Sequence, residues 1–472
     1  MLVSSTVIKN SGVQFGTSGA RGLVEQFSAD VCGAFTYAFI NCMQVKFQFK
    51  QVALAIDNRP SSPAMVRACI KALEQIGLEA IYYGVIPTPA LAYVAMQDNI
   101  PCIMITGSHI PFDRNGMKFY RPDGEISKVD EQAILSANTK FEPITDLPKL
   151  TVNSRASIVY LQRYTDLFGA TLLSCKRIGI YEHSSAGRDL YAPLFTNLGA
   201  EVISLERSDE FVPIDTEAVS DADKLKALKW SKQYQLDAIF STDGDGDRPL
   251  VADENGEWLR GDTLGLLCSK ALKIDALAVP VSCNTIIESL KVFRHVERTK
   301  IGSPYVIAEF DALAKKYASV AGFEANGGYL LGSDVHVNGS VLKALPTRDA
   351  VLPALMLLSA AGDNGISHLV NALPKRVTYS DRAKNFPTEK SLALLRGGQV
   401  KPEQLLLKLG FPDVVIINVD ITDGLRLTLD NDDVVHIRPS GNAPELRCYA
   451  ESSDIVNAKY YVDTFLANVH SL

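Results

Sequence analysis

No two cysteines are spaced C-x-x-C; the eight thiols stand at positions 32, 42, 69, 102, 175, 268, 283 and 448, mostly among apolar neighbours. Neither a disulfide framework nor a thiolate zinc site fits that scatter, which suits reduced cysteines and a cytoplasmic protein. Long hydrophobic runs are missing as well. The longest, Ala350 to Gly362, is too short for a bilayer span and contains Pro353. The N-terminal MLVSSTVIKN has no basic segment followed by an apolar core, so neither secretion nor membrane attachment is expected. Positive charge is in deficit: 47 Lys and Arg face 54 Asp and Glu, giving a net charge of −7 with no basic run. A phosphate backbone selects a basic patch, so nucleic acid is not expected as a partner. With 47% hydrophobic and 21% charged residues, the composition also fits neither a disordered nor a fibrous chain. At 472 residues, the remaining class is a multidomain globular protein.

Strand-like runs alternate with amphipathic stretches over the first 370 or so residues. Val52 to Ile56 reads as a strand, Pro63 to Ile76 as a helix stopped by Gly77, Ala80 to Tyr83 and Cys102 to Ile105 as further strands. Strands separated by single helices predict a largely parallel sheet. The pattern also repeats. IGLEAIYYG from Ile76 resembles LGAEVISLE from Leu198, and DRNGMKFYRPDGEI from Asp113 resembles DGDRPLVADENGEW from Asp245, with a fainter third copy in EANGGYLLGSDVHVNGS from Glu324. Beyond Arg376 the texture changes to alternating strands (Val414 to Val419, Leu425 to Leu429, Val434 to Ile437) with two helical stretches. The fold class predicted is α/β: three related α/β domains at 1–150, 151–256 and 257–370, with mixed, largely parallel sheets, and a smaller C-terminal α+β domain at 371–472.

Four loops carry chemistry-bearing residues. TGSHIP (Thr106 to Pro111) follows a buried strand, and its Gly and Pro make a tight turn that would expose Ser108 at the carboxyl end of that strand, where open α/β sheets place their sites. Ser108 is then a nucleophile or phosphate acceptor; alternatively, Ser108 and His109 merely cap the turn. DGDGDR (Asp243 to Arg248) follows Ala238 to Phe240. Its three alternating carboxylates can surround one hard divalent cation, with Mg²⁺ favoured over Ca²⁺ because the ligand set is small. An EF-hand fails, since Arg248 stands where the sharp turn needs Gly and Pro249 to Ala252 reads as a strand. A solvated acidic turn is the plainer alternative. RPSGNAPELR (Arg438 to Arg447) follows Val434 to Ile437. Its turn at Ser440, Gly441 and Asn442 can present successive N–H groups to one anion, flanked by the forks of Arg438 and Arg447; a surface turn is the alternative. FGTSGARG (Phe15 to Gly22) is glycine-rich around Arg21, lacks a preceding strand, and does not have dinucleotide-fingerprint spacing. Lys118 lies on the outgoing strand after the Ser108 turn. EANGG (Glu324 to Gly328) offers a carboxylate and an amide of the kind that bind sugar hydroxyls, though a hairpin turn looks the same.

FGTSGARG, TGSHIPFDRNGMKFY, DGDGDR, EANGG and RPSGNAPELR, in this order over the whole chain, resemble the α-D-phosphohexomutase superfamily, most closely the bacterial phosphomannomutase/phosphoglucomutase type. The resemblance implies four domains around a central cleft. It implies a phosphoserine at Ser108, Mg²⁺ held by Asp243, Asp245 and Asp247 with a phosphoryl oxygen on Ser108, and a hexose 1,6-bisphosphate as intermediate and activator. Arg21, Lys118, His109 and Arg248 fall at positions of charge stabilisation or proton transfer, and a desolvated Lys118 would have a depressed pKa suited to a general base. Glu324 and Asn326 would hold sugar hydroxyls. Arg438, Ser440, Gly441, Asn442 and Arg447 would hold the non-reacting phosphate. Mannose phosphates are the leading substrates, with glucose or glucosamine phosphates as alternatives within the family. A sugar phosphatase and a silent sugar-phosphate binder are alternatives outside it. The partners implied are small hexose phosphates, with the chain a monomer or homodimer. The chain departs from the usual motifs at Ile110 (usually Asn), Asn326 (usually Ser), Gly328 (in some members His), and Asn442 and Ala443 (usually Thr-Glu). These changes bear on loop support and sugar preference.

Overall fold

A computed structural model describes residues 1–16, 19–440 and 444–471. Three α/β sheets follow one another along the chain and share a strand order. In the first, the parallel strands Glu79–Val85, Gln51–Ile56 and Cys102–Ile105 lie side by side, and Arg114–Arg121 adds antiparallel to the last of them. In the second, the same places are taken by Glu201–Arg207, Arg177–His183, Ala238–Thr242 and the antiparallel Pro249–Ala252. In the third they are taken by His295–Thr299, Ala276–Pro280, Val320–Phe323 and the antiparallel Tyr329–Leu331. The first sheet is extended by Ala20–Leu23 and Gln14–Phe15 and the third by Leu345–Asp349. The fourth main sheet is antiparallel throughout, in the order Val377–Ala383, Leu446–Ser452, Val434–Pro439, Leu425–Leu429, Ile416–Asp420.

Local chemistry accounts for the elements. The helix Ser62–Ile76 begins with Pro63 in its first turn and ends where Gly77 takes φ +82°, a left-handed position that glycine adopts without strain. The helix Asp221–Tyr234 starts at Ser220, whose hydroxyl accepts from the Asp223 N–H. Val351–Ala361 is a helix buried nearly all round, as its unbroken apolar run predicts; Pro353 sits in its first turn, where no helical N–H is lost. Among its described residues the C-terminal region holds three helices, Thr388–Val400, Pro402–Lys408 and Ile455–Val469, not the two expected. Pro402 separates the first pair, which sequence periodicity merges.

One apolar core runs through the first three sheets, linking Leu91, Tyr164, Phe195, Phe240, Phe323 and Leu355. The last sheet has its own core, around Leu425, Ile437, Val462 and Phe465. The shared core has a direct consequence for the site. In each of the first three sheets, the connection from the third parallel strand to its antiparallel neighbour is a hairpin at the strand's carboxyl end. Those three hairpins hold Ser108, Asp243 and Glu324.

Candidate active site

The Ser108 hairpin is cast around a buried guanidinium. Arg59 donates from Nη1 to the carbonyls of Pro111 (2.7 Å) and Arg114 (2.9 Å), from Nη2 to those of Ser108 (2.9 Å) and Ile110 (2.6 Å), and from Nε to Asp57 Oδ2 (3.2 Å). Five N–H donors thus meet five acceptors, the full capacity of an arginine fork. Asp57 in turn accepts from the Thr106 and Ser62 hydroxyls and the Gly107 N–H. The glycine of TGSHIP follows from this packing, because a Cβ at Gly107 would lie 2.5 Å from Arg59 Cζ. Ser108 takes φ +53°, a left-handed conformation that costs a non-glycine residue on the order of 1 kcal/mol and needs such support. Contrary to expectation, Ser108 is fully buried. Its hydroxyl donates to Asp243 Oδ2 at 2.6 Å, because the second sheet's hairpin packs directly onto the first's. Ile110, the departure from the usual loop, contributes only its carbonyl to the Arg59 hub.

Asp243, Asp245 and Asp247 each offer a carboxylate oxygen within 4.8 Å of the others, and all three are buried. Burial, followed by the charges of Asp245 and Asp247, pushes the Asp243 carboxyl well above the ordinary range. Asp245 stays low: burial would raise it, but the Lys118 ammonium and the Thr88 hydroxyl, 2.7 Å away, outweigh that penalty. Oδ1 of Asp245 and Oδ1 of Asp247 are buried and make no hydrogen bond among the described residues. Converging carboxylates with oxygens free of hydrogen bonds are the donor set of a hard cation site, so the residues fit a divalent metal.

Lys118 sits opposite Met104 on the antiparallel strand and reaches Asp245 Oδ2 at 2.5 Å and Asp247 Oδ2 at 2.6 Å. Burial alone would depress its pKa, but the two carboxylates outweigh burial and raise it. The expected depressed base is therefore corrected to a charged ammonium that neutralises the acidic cluster. Arg248 N–H donates to Asp243 Oδ1 at 3.2 Å, and its Nη1 lies 3.1 Å from His109 Nδ1. Arginine only donates, so Nδ1 is the acceptor and the imidazole is neutral. Burial and then Arg248 drive the His109 pKa down to about 3. Arg21 lies on the strand Ala20–Leu23 opposite Gly116, and burial followed by Arg248 lowers its pKa to about 10. A short strand, Gln14–Phe15, does precede its glycine-rich loop, against expectation; two residues are too few for periodicity to reveal.

On the third sheet's hairpin, Glu324 is buried and ion-paired to Arg348 Nε. Burial would raise the Glu324 carboxyl, but Arg348 holds it below its ordinary value. Arg348 also places Nη1 3.8 Å from Asp247 Oδ2, so it links the sugar-type loop to the acidic loop. It also explains Gly328: a Cβ there would lie 2.6 Å from Arg348 Cδ. Asn326 Oδ1 accepts from the Gly328 N–H at 3.0 Å, which commits that oxygen to shaping the turn. Arg438 and Arg447 stand directly opposite each other on paired strands, with Arg438 Nε 3.5 Å from Asp423 Oδ1. The buried Ser440 receives its place from an N–H bond to the Glu445 carbonyl (2.8 Å). Gly441 and Asn442 lie outside the described residues. A cavity of about 530 Å³ opens beside Arg438, walled by Phe15, Lys300, Tyr305 and Arg396.

Sequence reasoning missed Asp57, Arg59, Thr88 and Arg348. Only the first two left a signal: an Asp-x-Arg pair directly after a buried strand, with alternation putting both charges on one side.

Comparison with known proteins matches this architecture. Family models described as phosphoglucomutase/phosphomannomutase, alpha/beta/alpha domain I and domain III match residues 12–143 and 260–377. A phosphomannomutase of Salmonella muenchen is 60% identical over 466 residues, covering 98% of this chain and 97% of the relative. One of Sinorhizobium fredii is 40% identical, covering 98% and 99%. A crystal structure of a phosphoglucomutase/phosphomannomutase family protein from Burkholderia thailandensis superposes with a TM-score of 0.74 at 19% identity, covering 100% of this chain and 98% of that one. Fold and relatives together define an isomerase of the phosphohexomutase class. Within that class, the chain belongs to the phosphoglucomutase/phosphomannomutase family and is of the bacterial phosphomannomutase type.

Proposed function

We propose that the chain interconverts mannose 6-phosphate and mannose 1-phosphate through a phosphoserine at Ser108 and a hexose 1,6-bisphosphate. The observation that carries this reading is the Ser108 hydroxyl held 2.6 Å from Asp243 at the edge of a buried carboxylate triad. The sugar follows the relatives at 60% and 40% identity, both phosphomannomutases. In one half-reaction a sugar hydroxyl oxygen bonds to the phosphoserine phosphorus, the P–Oγ bond breaks, and the proton given up by the hydroxyl is matched by one taken up at the freed Ser108 Oγ. After the bisphosphate turns round, the other phosphate returns to Oγ. Asp243, Asp245 and Asp247 would hold Mg²⁺, which when bound offsets phosphoryl charge as a Lewis acid. Lys118, Arg248 and Arg21 supply fixed positive charge around the same point. His109, neutral and held by Arg248, lies 3.5 Å from Ser108 Oγ and lines the nucleophile. Glu324 and Asn326 face the sugar. Arg438, Ser440 and Arg447, with Gly441 and Asn442, would take the non-reacting phosphate in either orientation.

In this reading each of four domains, 1–150, 151–256, 257–370 and 371–472, brings at least one loop to the cleft. The eight unpaired thiols, six of them buried, suit a reducing compartment, so we place the protein in the cytoplasm as a monomer or homodimer. No helix among the described residues is long and apolar enough to cross a membrane.

The test is a ³¹P NMR time course on mannose 1-phosphate, glucose 1-phosphate and glucosamine 1-phosphate with Mg²⁺ and a trace of hexose 1,6-bisphosphate. A 6-phosphate resonance growing fastest from mannose 1-phosphate is expected, and S108A should abolish it while retaining sugar-phosphate binding. Inorganic phosphate as the main product would replace the mutase with a phosphatase.

A further inference from the structure

Residues 208–220 connect the strand Glu201–Arg207 to the helix Asp221–Tyr234, and no motif marks them. The segment nevertheless packs on the acidic hairpin, bonds to the sugar-type hairpin, and covers the Arg59 guanidinium that holds the Ser108 hairpin. Its first half is fixed within its own sheet. Arg188 Nη2 donates to Asp209 Oδ1 at 2.9 Å, the Val212 N–H donates to Ser184 Oγ at 2.8 Å, and Ile214 is buried in the second sheet's outer core.

Two side chains of the segment leave their own sheet. The Phe211 ring lies 4.0 Å over the Arg59 guanidinium, covering the face of the group whose in-plane donors are all committed to the Ser108 loop and Asp57. The same ring packs on the acidic loop, where a Cβ at Gly244 would come within 3.2 Å of Phe211 Cε2 and 2.7 Å of the Ser108 carbonyl. Five residues on, the buried Thr216 hydroxyl donates to the Asn326 carbonyl in the sugar-type loop at 2.7 Å. A connection serving only its own sheet would turn these groups inward, as Ile214 does.

We propose that residues 208–220 form a positioning strap. Phe211 fixes the nucleophile loop through Arg59, and Thr216 fixes the sugar loop through the Asn326 carbonyl, so that a reacting hydroxyl and Ser108 stay in register. Phe211 and Thr216 are positioning residues and touch no reacting atom. The inference rests on the mutase reading and assigns each half of the strap a separate kinetic signature. Loss of the Thr216 hydrogen bond loosens sugar binding in ground and transition states alike, which raises KM. Loss of the Phe211 ring loosens the nucleophile, which lowers kcat.

The experiment is steady-state mutase kinetics on the wild type, T216V and F211L, with T216S and F211Y as conservative partners. T216V is expected to raise KM about fivefold to tenfold, the scale of one lost hydrogen bond, with kcat within about twofold. F211L is expected to lower kcat about tenfold, the scale of a slightly misplaced nucleophile, with KM within about twofold. T216S and F211Y should restore the wild-type values, and melting profiles should show every variant folded. Unchanged kinetics in T216V and F211L would overturn the strap. So would kcat and KM moving together in both, or kinetic losses that merely track lost folded protein. A wild type without mutase turnover would instead refute the mutase reading, and the strap with it, a result seen before any variant is compared.

Discussion

Arg59→Lys tests the account of the nucleophile loop most severely, because it keeps the charge and removes the fork. The guanidinium makes five hydrogen bonds spread over four carbonyls and one carboxylate. An ammonium has three donors radiating from one atom, so at least two of the five acceptors lose their partner. Hydrogen bonds to a charged group contribute about 1.5–3 kcal/mol each. The low end applies here, because Ile110 is only half-buried and Pro111 and Arg114 are exposed, so their carbonyls can recover water. The expected loss is therefore about 3 kcal/mol from two bonds. At about 2–4 °C per kcal/mol for a unit of 150–250 residues or so, the melting transition that includes the first sheet should fall by roughly 6–12 °C. Below that transition, turnover should fall about 100-fold, since a nucleophile displaced by an ångström costs about that much. Calorimetry gives the first number and ³¹P NMR turnover the second. A variant melting within about 2 °C of the wild type, or turning over within about twofold of it, would show that Arg59 does not shape the loop, since either loss is far above those margins.

Mg²⁺ at a hundred times its Kd should stabilise the wild type by about 2.7 kcal/mol, seen as a higher melting temperature. D245N should lose most of that shift, and an equal shift in both proteins would remove the triad as the metal site. Gly244→Ala places a Cβ 2.7 Å from the Ser108 carbonyl, so it should push the two hairpins apart and lower kcat at least about tenfold; wild-type kinetics would show that the hairpins do not need this close approach. His436 is held to a pKa of about 4 by burial, with the Asp423 carbonyl opposing and Arg426 assisting. Its folded pKa lies below the unfolded value, so the unfolded chain takes the proton first. Stability is full above about pH 6.5 and is lost as the pH falls towards the folded value, by about 2 kcal/mol at pH 5. H436N should therefore lose about 2 kcal/mol less than the wild type between pH 7 and 5 in urea unfolding, and parallel losses would count against the buried neutral imidazole.

Much of the fold was legible because its signals are local. The strand before Ser108 and the strands Pro249–Ala252 and Leu425–Leu429 were readable from apolar runs bounded by Gly, Pro or Asp turns. Gly77 marked its helix end for the same reason. The boundary between Thr388–Val400 and Pro402–Lys408 was not readable, because two short amphipathic helices in succession share one period. The three internal sequence echoes fall on corresponding strands of the three sheets: Glu79–Val85 with Glu201–Arg207, then Arg114–Arg121 with Pro249–Ala252 and Tyr329–Leu331.

In the site, the sequence by itself determined which loops carry chemistry. Ser108, the alternating Asp residues and the glycines of each turn are set by spacing along a few residues, and turn geometry acts over that range. Tertiary structure decided what those groups experience. Ser108 is buried because a hairpin 135 residues away closes over it. Lys118 keeps its proton because Asp245 and Asp247, brought from another sheet, stand within 2.6 Å. Arg348 and Phe211 acquire their roles only from neighbours distant in the chain, and Arg59 takes four of its five side-chain acceptors from a loop about fifty residues on. Burial and Coulombic interaction depend on distance in space, and no spacing along the chain encodes that distance.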